Sequence, residues 1–177
     1  MSTRSSISIA KEDGTIQQIY AHWDGYISHN GVILFNYYQE PEKVKELMKL
    51  GDLSSLAPEI TPKGSHSYDN PESGVTVFYG RDRGEDNISA KTFYSADKFM
   101  SEGNFQSVDY LYREKTKKWY VIDQDTNKFK ELKGLIKKEL KSLPAKYKSD
   151  FLALVEQQKE EKKLKTNEVS LTSKPKF

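Results

Sequence analysis

The chain has 177 residues and no cysteine. Disulfides, thiolate nucleophiles and cysteine-ligated zinc are therefore excluded, and nothing points to an oxidising compartment. Long apolar runs are also missing. No window approaches the ~20 residues that span a bilayer, and the N-terminus carries no apolar signal-peptide core, so the expected location is cytoplasmic. Histidine is scarce, with only His22, His29 and His66. Their spacing, taken with Asp24 or Asp69, matches no ligand motif, so no metal site is expected. No motif calls for a cofactor. No nucleophile-elbow Gly-x-Ser-x-Gly surrounds Ser67, which leaves a hydrolytic triad at His66-Ser67-Tyr68-Asp69 without support. No internal repeat is visible.

What is present is charge, unevenly spread. Residues 1–100 carry ten Lys/Arg against fourteen Asp/Glu, and the rest carries eighteen against twelve. A total of +2 thus hides an acidic first part and a basic last third. Lys115, Lys117, Lys118, Lys133, Lys137, Lys138 and Lys141 concentrate the basic excess and offer a nucleic-acid face. Glu131, Glu139, Glu160 and Glu161 dilute it, so a solvated helix surface is the simpler reading.

Period-two alternation in Ser5–Ala10 and Ile16–Tyr20, joined through Asp13-Gly14, predicts a β-hairpin. Asn30 is placed to cap a helix beginning near Gly31. Pro41 opens a second helix, and Gly51 stops it. Leu53 and Leu56 pin a short turn. Residues 57–74, with three prolines, read as a long loop. Residues 75–79 read as a strand and Arg81 to Asp86 as a charged turn. Residues 107–112 and 118–123 form a second hairpin around Lys115-Thr116-Lys117. The apolar stripe of Phe129, Leu132, Leu135, Ile136 and Leu140 predicts a helix over residues 128–143. Tyr147, Phe151, Leu154 and Val155 start another, which gives way to a disordered tail after about Lys165. The expected fold class is α+β: an antiparallel sheet of about five hairpin-built strands covered by helices, with parallel winding disfavoured. Residues 1–143 form one domain, and 144–177 a helical extension with a flexible tail.

Three runs carry candidate chemistry where strands give way to turns. His22-Trp23-Asp24-Gly25-Tyr26 combines an imidazole, a carboxylate and aromatic faces; the simpler alternative is core filling and a turn. His66 and Tyr68 lie in the long loop. Tyr79-Gly80-Arg81-Asp82-Arg83-Gly84-Glu85 places two arginines beside glycines, as a phosphate or carboxylate clamp would. The alternative there is a solvated hairpin turn with local ion pairs.

These runs also carry a resemblance. Thr3-Arg4-Ser5 with Ile7 and Ile9, residues 19–26 (Ile-Tyr-Ala-His-Trp-Asp-Gly-Tyr), residues 50–56 (Leu-Gly-Asp-Leu-Ser-Ser-Leu), His66 to Asp69, Gly74 to Val77 and Tyr79 to Glu85 together resemble a group of small uncharacterised proteins encoded by tailed bacteriophages. The likeness covers about residues 3–86 and the Trp119-Tyr120 hairpin. It implies a phage accessory product, the class that includes host-takeover and counter-defence proteins, working in the host cytoplasm, and it implies no catalytic residues. The leading expectation is a binding protein that captures a host factor or a small anionic, nucleotide-type ligand through His22, Trp23, Asp24, Tyr26, His66, Tyr68, Tyr79, Arg81 and Arg83. One alternative is an enzyme acting on a nucleotide or ADP-ribose-like substrate, with His22 as acid or base, Asp24 orienting it and Arg81 stabilising negative charge. A second is a nucleic-acid or nucleoprotein binder using the C-terminal lysines. Oligomeric state is left open.

Overall fold

A computed structural model describes residues 2–172. The expected first hairpin forms from β1 (Ser5–Ala10) and β2 (Ile16–Ala21), paired from Ser5↔Ala21 to Ala10↔Ile16. Gly14, at φ 86°, supplies the left-handed residue of its turn. A single π-turn, Ile27–Gly31, runs into α1 (Val32–Tyr37), and α2 (Pro41–Leu50) follows with proline in its first turn. Then come β3 (Leu53–Ser55), β4 (Val77–Phe78), α3 (Tyr79–Arg83), β5 (Lys91–Phe93) and α4 (Ala96–Glu102). The second hairpin is β6 (Val108–Arg113) and β7 (Lys118–Asp123), and β8 (Lys128–Glu131), α5 (Leu132–Lys138) and α6 (Ala145–Thr172) complete the order.

The sheet is mixed and has eight strands, which corrects the expectation of an antiparallel sheet of about five. Its order is β4-β3-β2-β1-β6-β7-β8, with β5 also on the outer edge of β2. β1 pairs with β6 in parallel, Ser5↔Val108 to Ala10↔Arg113, and β2 meets β3 in parallel at Ala21↔Leu53. Turn chemistry reports which strands are joined locally and is silent on a partner a hundred residues away. β3, β4 and β5 run two or three residues each, too short to show a period. β8 was hidden for another reason. Phe129 falls in step with the α5 stripe, but its ring lies under the Arg113 guanidinium, 4.9 Å away, and β8 pairs with β7.

Helices α1, α2, α5 and α6 cover one face. There Ile7, Ile9, Ile19, Tyr110, Tyr112 and Trp119 pack against Val32, Leu34, Leu47, Ile136, Phe151 and Val155. Buried aromatics hold the surrounding chain by their polar tips: Tyr110 Oη donates to Gly25 O (2.8 Å), Tyr112 Oη to Gln39 O (2.7 Å) and Trp119 Nε1 to Tyr38 O (2.8 Å). On the other face α4 covers a smaller cluster of Ile16, Phe93, Phe99, Leu111 and Ile122. Beside it lies a buried polar network. Ser6 Oγ (2.6 Å) and Gln106 N (2.8 Å) donate to Asp109 Oδ1, and Gln124 Nε2 donates to Oδ2 (2.5 Å). Among the described residues no cation joins these contacts, and burial pushes the Asp109 carboxyl above the ordinary aspartate value.

α6 is continuous through Thr172, so the disordered tail expected after Lys165 is helical for at least that length; residues 173–177 lie outside the described residues. Its first half delivers Phe151 and Val155 to the main core, while residues 159–171 are exposed throughout.

Phe151→Ala is expected to cost about 3–5 kcal/mol in denaturant unfolding, whereas Leu164→Ala, on the exposed half of the same helix, stays within about 0.5 kcal/mol. A second expectation concerns pH. A carboxyl whose folded value is raised binds its proton more tightly in the native state, so its contribution is favourable at low pH and is lost as pH rises through the folded value. Wild type should therefore lose stability relative to Asp109→Asn as pH is raised upward from 3.8; a flat difference across that range would contradict the uncompensated burial of Asp109.

Candidate functional site

The His22–Tyr26 run is a rigid turn. Asp24 takes φ 55°, and Gly25 packs so tightly on the N-terminal segment that a Cβ there would lie 2.7 Å from Thr3 O. Gly25 N donates to Thr3 O (2.7 Å). Asn30 does not cap α1; its buried side chain donates to Trp23 O (3.0 Å) and Ser5 Oγ (3.3 Å) and ties the turn to β1. Held in this way, Trp23 is 47 % exposed and Tyr26 42 %.

From Trp23 an aromatic row runs along the rim of the sheet. His22 lies edge-on to Trp23 at 4.8 Å, and its Nδ1 shares a 2.8 Å hydrogen bond with Tyr20 Oη. Tyr79, at the start of α3, hydrogen-bonds Ser54 and lies within electrostatic range of Tyr20, and burial raises its phenol. Tyr79 stacks on Tyr68 at 6.0 Å, and the Arg83 guanidinium sits 4.7 Å over the Tyr68 ring. His22, Trp23, Tyr68, Tyr79 and Arg83 thus share one row. Tyr20, absent from the sequence-derived set, links them. Its signal was available: two residues before His22 on a strand is the same face.

The other expected residues go elsewhere. Tyr26 Oη donates to Asp24 Oδ1 (3.0 Å), and the Tyr26 ring turns toward His29, which in turn meets Tyr147 of α6. Arg81 and His66 lock the long loop onto α3. Arg81 donates through Nε to Asp82 Oδ1 (2.7 Å), through Nη1 to Ile60 O (2.5 Å), and through Nη2 to Thr76 O (2.8 Å) and Asp82 Oδ2 (2.9 Å). Four of the five guanidinium N–H groups are therefore spent inside the chain. His66 Nδ1 accepts from Glu72 N (3.0 Å), which leaves the proton on Nε2, directed at Asp82 Oδ2 3.1 Å away. The His66 and Asp82 side chains are only 2 % and 4 % exposed. Burial works to raise Asp82, but the donors Arg81, Phe78 N and His66 outweigh it and hold the carboxyl below its ordinary value.

The chemistry available follows from these contacts. Asp24 bonds Tyr26 and not His22, so the imidazole is oriented by the Tyr20 hydroxyl and not by the carboxylate expected to orient it. Among the described residues no group of three or more His, Asp or Glu side chains converges as a metal site would. A polar cavity of about 120 Å³ adjoins the row, lined by Gln18, Tyr20, Asp52, Ser89, Lys91 and Asn104. No protein-family model, curated protein or solved structure matches the chain, so the reading of this site rests on its own geometry.

Arg81→Ala is expected to cost about 1–3 kcal/mol, the penalty for leaving buried acceptors unpaired, and to speed tryptic cleavage after Lys63 in the loop it secures. With its folded value lowered, Asp82 contributes stability above the ordinary value of 3.8, and that contribution is lost as pH falls through the folded value. A carbon-13 titration should place the Asp82 midpoint below 3.8 in wild type and move it upward in Arg81→Ala.

Proposed function

We propose that this chain is a binding protein that captures a host protein through the Trp23–His22–Tyr20–Tyr79–Tyr68–Arg83 row, as an accessory product of a tailed phage acting in host takeover or counter-defence. The phage setting and the host cytoplasm as its place of action rest on the motif resemblance. The binding reading rests on one observation: a rigid turn displays Trp23 at 47 % exposure in a row of aromatics that ends in an arginine. Trp, Tyr and Arg are the residues that dominate protein–protein hot spots. Large exposed side chains held by a costly backbone geometry are positioned for contact, not for stability.

Size and charge favour a protein over a nucleotide at this row. Pockets for drug-sized ligands, a nucleotide among them, enclose about 300–1,000 Å³, and the adjoining cavity offers about 120 Å³. Arg81, the expected phosphate clamp, is occupied, and Arg83 is paired with Glu85 at 3.2 Å. Asp69, Asp86 and Glu85 lie exposed in the same segments and repel an anion. A partner with an apolar, basic patch matches that surface. No helix of the described chain is long and apolar enough to cross a membrane.

The test is affinity purification of the tagged chain from its bacterial host beside Trp23→Ala/Tyr68→Ala. The expected result is a stoichiometric host protein retained by wild type and depleted at least tenfold by the variant, the loss of about 2 kcal/mol typical of a hot spot. An identical set of proteins on both forms would sink the proposal. A small molecule released on denaturation from wild type alone would replace the partner with a ligand.

A further inference from the structure

A second site lies away from the aromatic row, in the basic third of the chain. A cleft of about 240 Å³ opens between the β6–β7 turn, the start of α5 and the middle of α6. Five lysines line it, Lys117, Lys118, Lys133, Lys162 and Lys165, against two glutamates, Glu131 and Glu161. Lys117 pairs with Glu40 and Lys118 with Glu131. Lys133 is half-buried, and its Nζ donates to a neutral acceptor, Gln158 Oε1, at 2.8 Å. No ion pair engages Lys133, Lys162 or Lys165 among the described residues. Phe35 and Trp119 supply the apolar part of the lining.

We propose that this cleft is an anion-binding site for a small ligand bearing adjacent phosphates, gripped by Lys133, Lys162 and Lys165. Lys133, Lys162 and Lys165, unpaired among the described residues, line one concavity with lysines in excess of glutamates, and an anion between them relieves their mutual repulsion. The state of Lys133 agrees: burial, then the charges of Lys137 and Lys162, press its ammonium below the ordinary lysine value. Three facts favour a small phosphate ligand over a nucleic-acid strand. The cleft is concave and closed by α6 on one side. Phe35 and Trp119 are buried, so they expose no ring face for a base to stack on. Beyond the cleft, Glu156 and Glu160 interrupt the lysines of α6, so no continuous basic track leads away from it. The cleft is separate from the aromatic row, and its test is independent of the host-protein reading.

The experiment uses the full chain and inorganic tripolyphosphate, followed by calorimetry at low and physiological salt. Orthophosphate and a duplex DNA oligomer serve as comparisons. The expected result is a 1:1 tripolyphosphate complex with Kd below about 1 mM at low salt, weakened by added salt and tighter than the orthophosphate complex. Lys162→Glu/Lys165→Glu changes only exposed positions and should keep the wild-type unfolding midpoint while raising Kd at least tenfold. Lys133→Gln should raise it similarly, and Glu161→Gln should lower it. Tripolyphosphate should also raise the titration midpoint of Lys133 followed by NMR. No binding of tripolyphosphate, or an unchanged Kd in Lys162→Glu/Lys165→Glu, would overturn the site. Binding of DNA without tripolyphosphate would overturn it in favour of a polymer.

Discussion

The parallel pairing of β1 with β6 is the constraint on which the other parts of this structure depend. It runs the whole length of β1, from Ser5↔Val108 to Ala10↔Arg113, and sets β1 inside the sheet with β2 on its other side. Ser5, Ser6 and Ser8 are buried with Ile7 and Ile9, because a strand enclosed on both faces has no solvent side to give its polar residues. The same register places Asp109 within reach of Ser6 and sends Tyr110 and Tyr112 to the opposite face. From there their hydroxyls fix Gly25 and Gln39, so the turn that displays Trp23 is held from below by β6 and from the side by Asn30.

The uneven charge of the sequence becomes a division between two surfaces. The acidic first part surrounds the aromatic row, where exposed acids flank Arg83 and Tyr68. The basic last third borders the lysine cleft. Each surface discourages what the other attracts. A chain of this size can thereby offer an aromatic contact for a protein and a concave seat for an anion without one competing with the other.

Much of this was legible in the sequence, and the limits have physical causes. Both hairpins follow from alternation and turn residues, and α2 from Pro41 and Gly51, whose φ of 82° and approach to Ile88 O leave no space for a Cβ. Long-range pairing was not legible, because strand patterns record which faces are buried and not which strand lies alongside. Asn30 looked like a helix cap because it precedes an apolar run; its use is a tertiary hydrogen bond to Trp23 O that no local pattern encodes. Arg81 and Arg83 read as a pair. The backbone of α3 separates them, since residues two apart on a helix point in different directions. One therefore enters the loop clamp and the other stays on the surface. The site was legible as a location, in that three junctions were singled out and parts of all three share the rim. Which side chains remain available depended on carbonyls at Ile60 and Thr76 that carry no sequence signature.

The central place of β1 has a consequence in time. A ribosome makes β1 and β2 first, and that hairpin emerges with the β1 edge unpaired. The strand that covers this edge begins at Val108, and the helix that closes the core contributes Phe151 later still. Until β6 is made, the chain holds an open strand edge carrying Ile7 and Ile9, the kind of surface that pairs with other chains. The β1–β6 pairing closes a longer loop than any other strand pairing in the sheet, a contact of the kind that slows folding. Release of β1 then means undoing pairings on both of its edges.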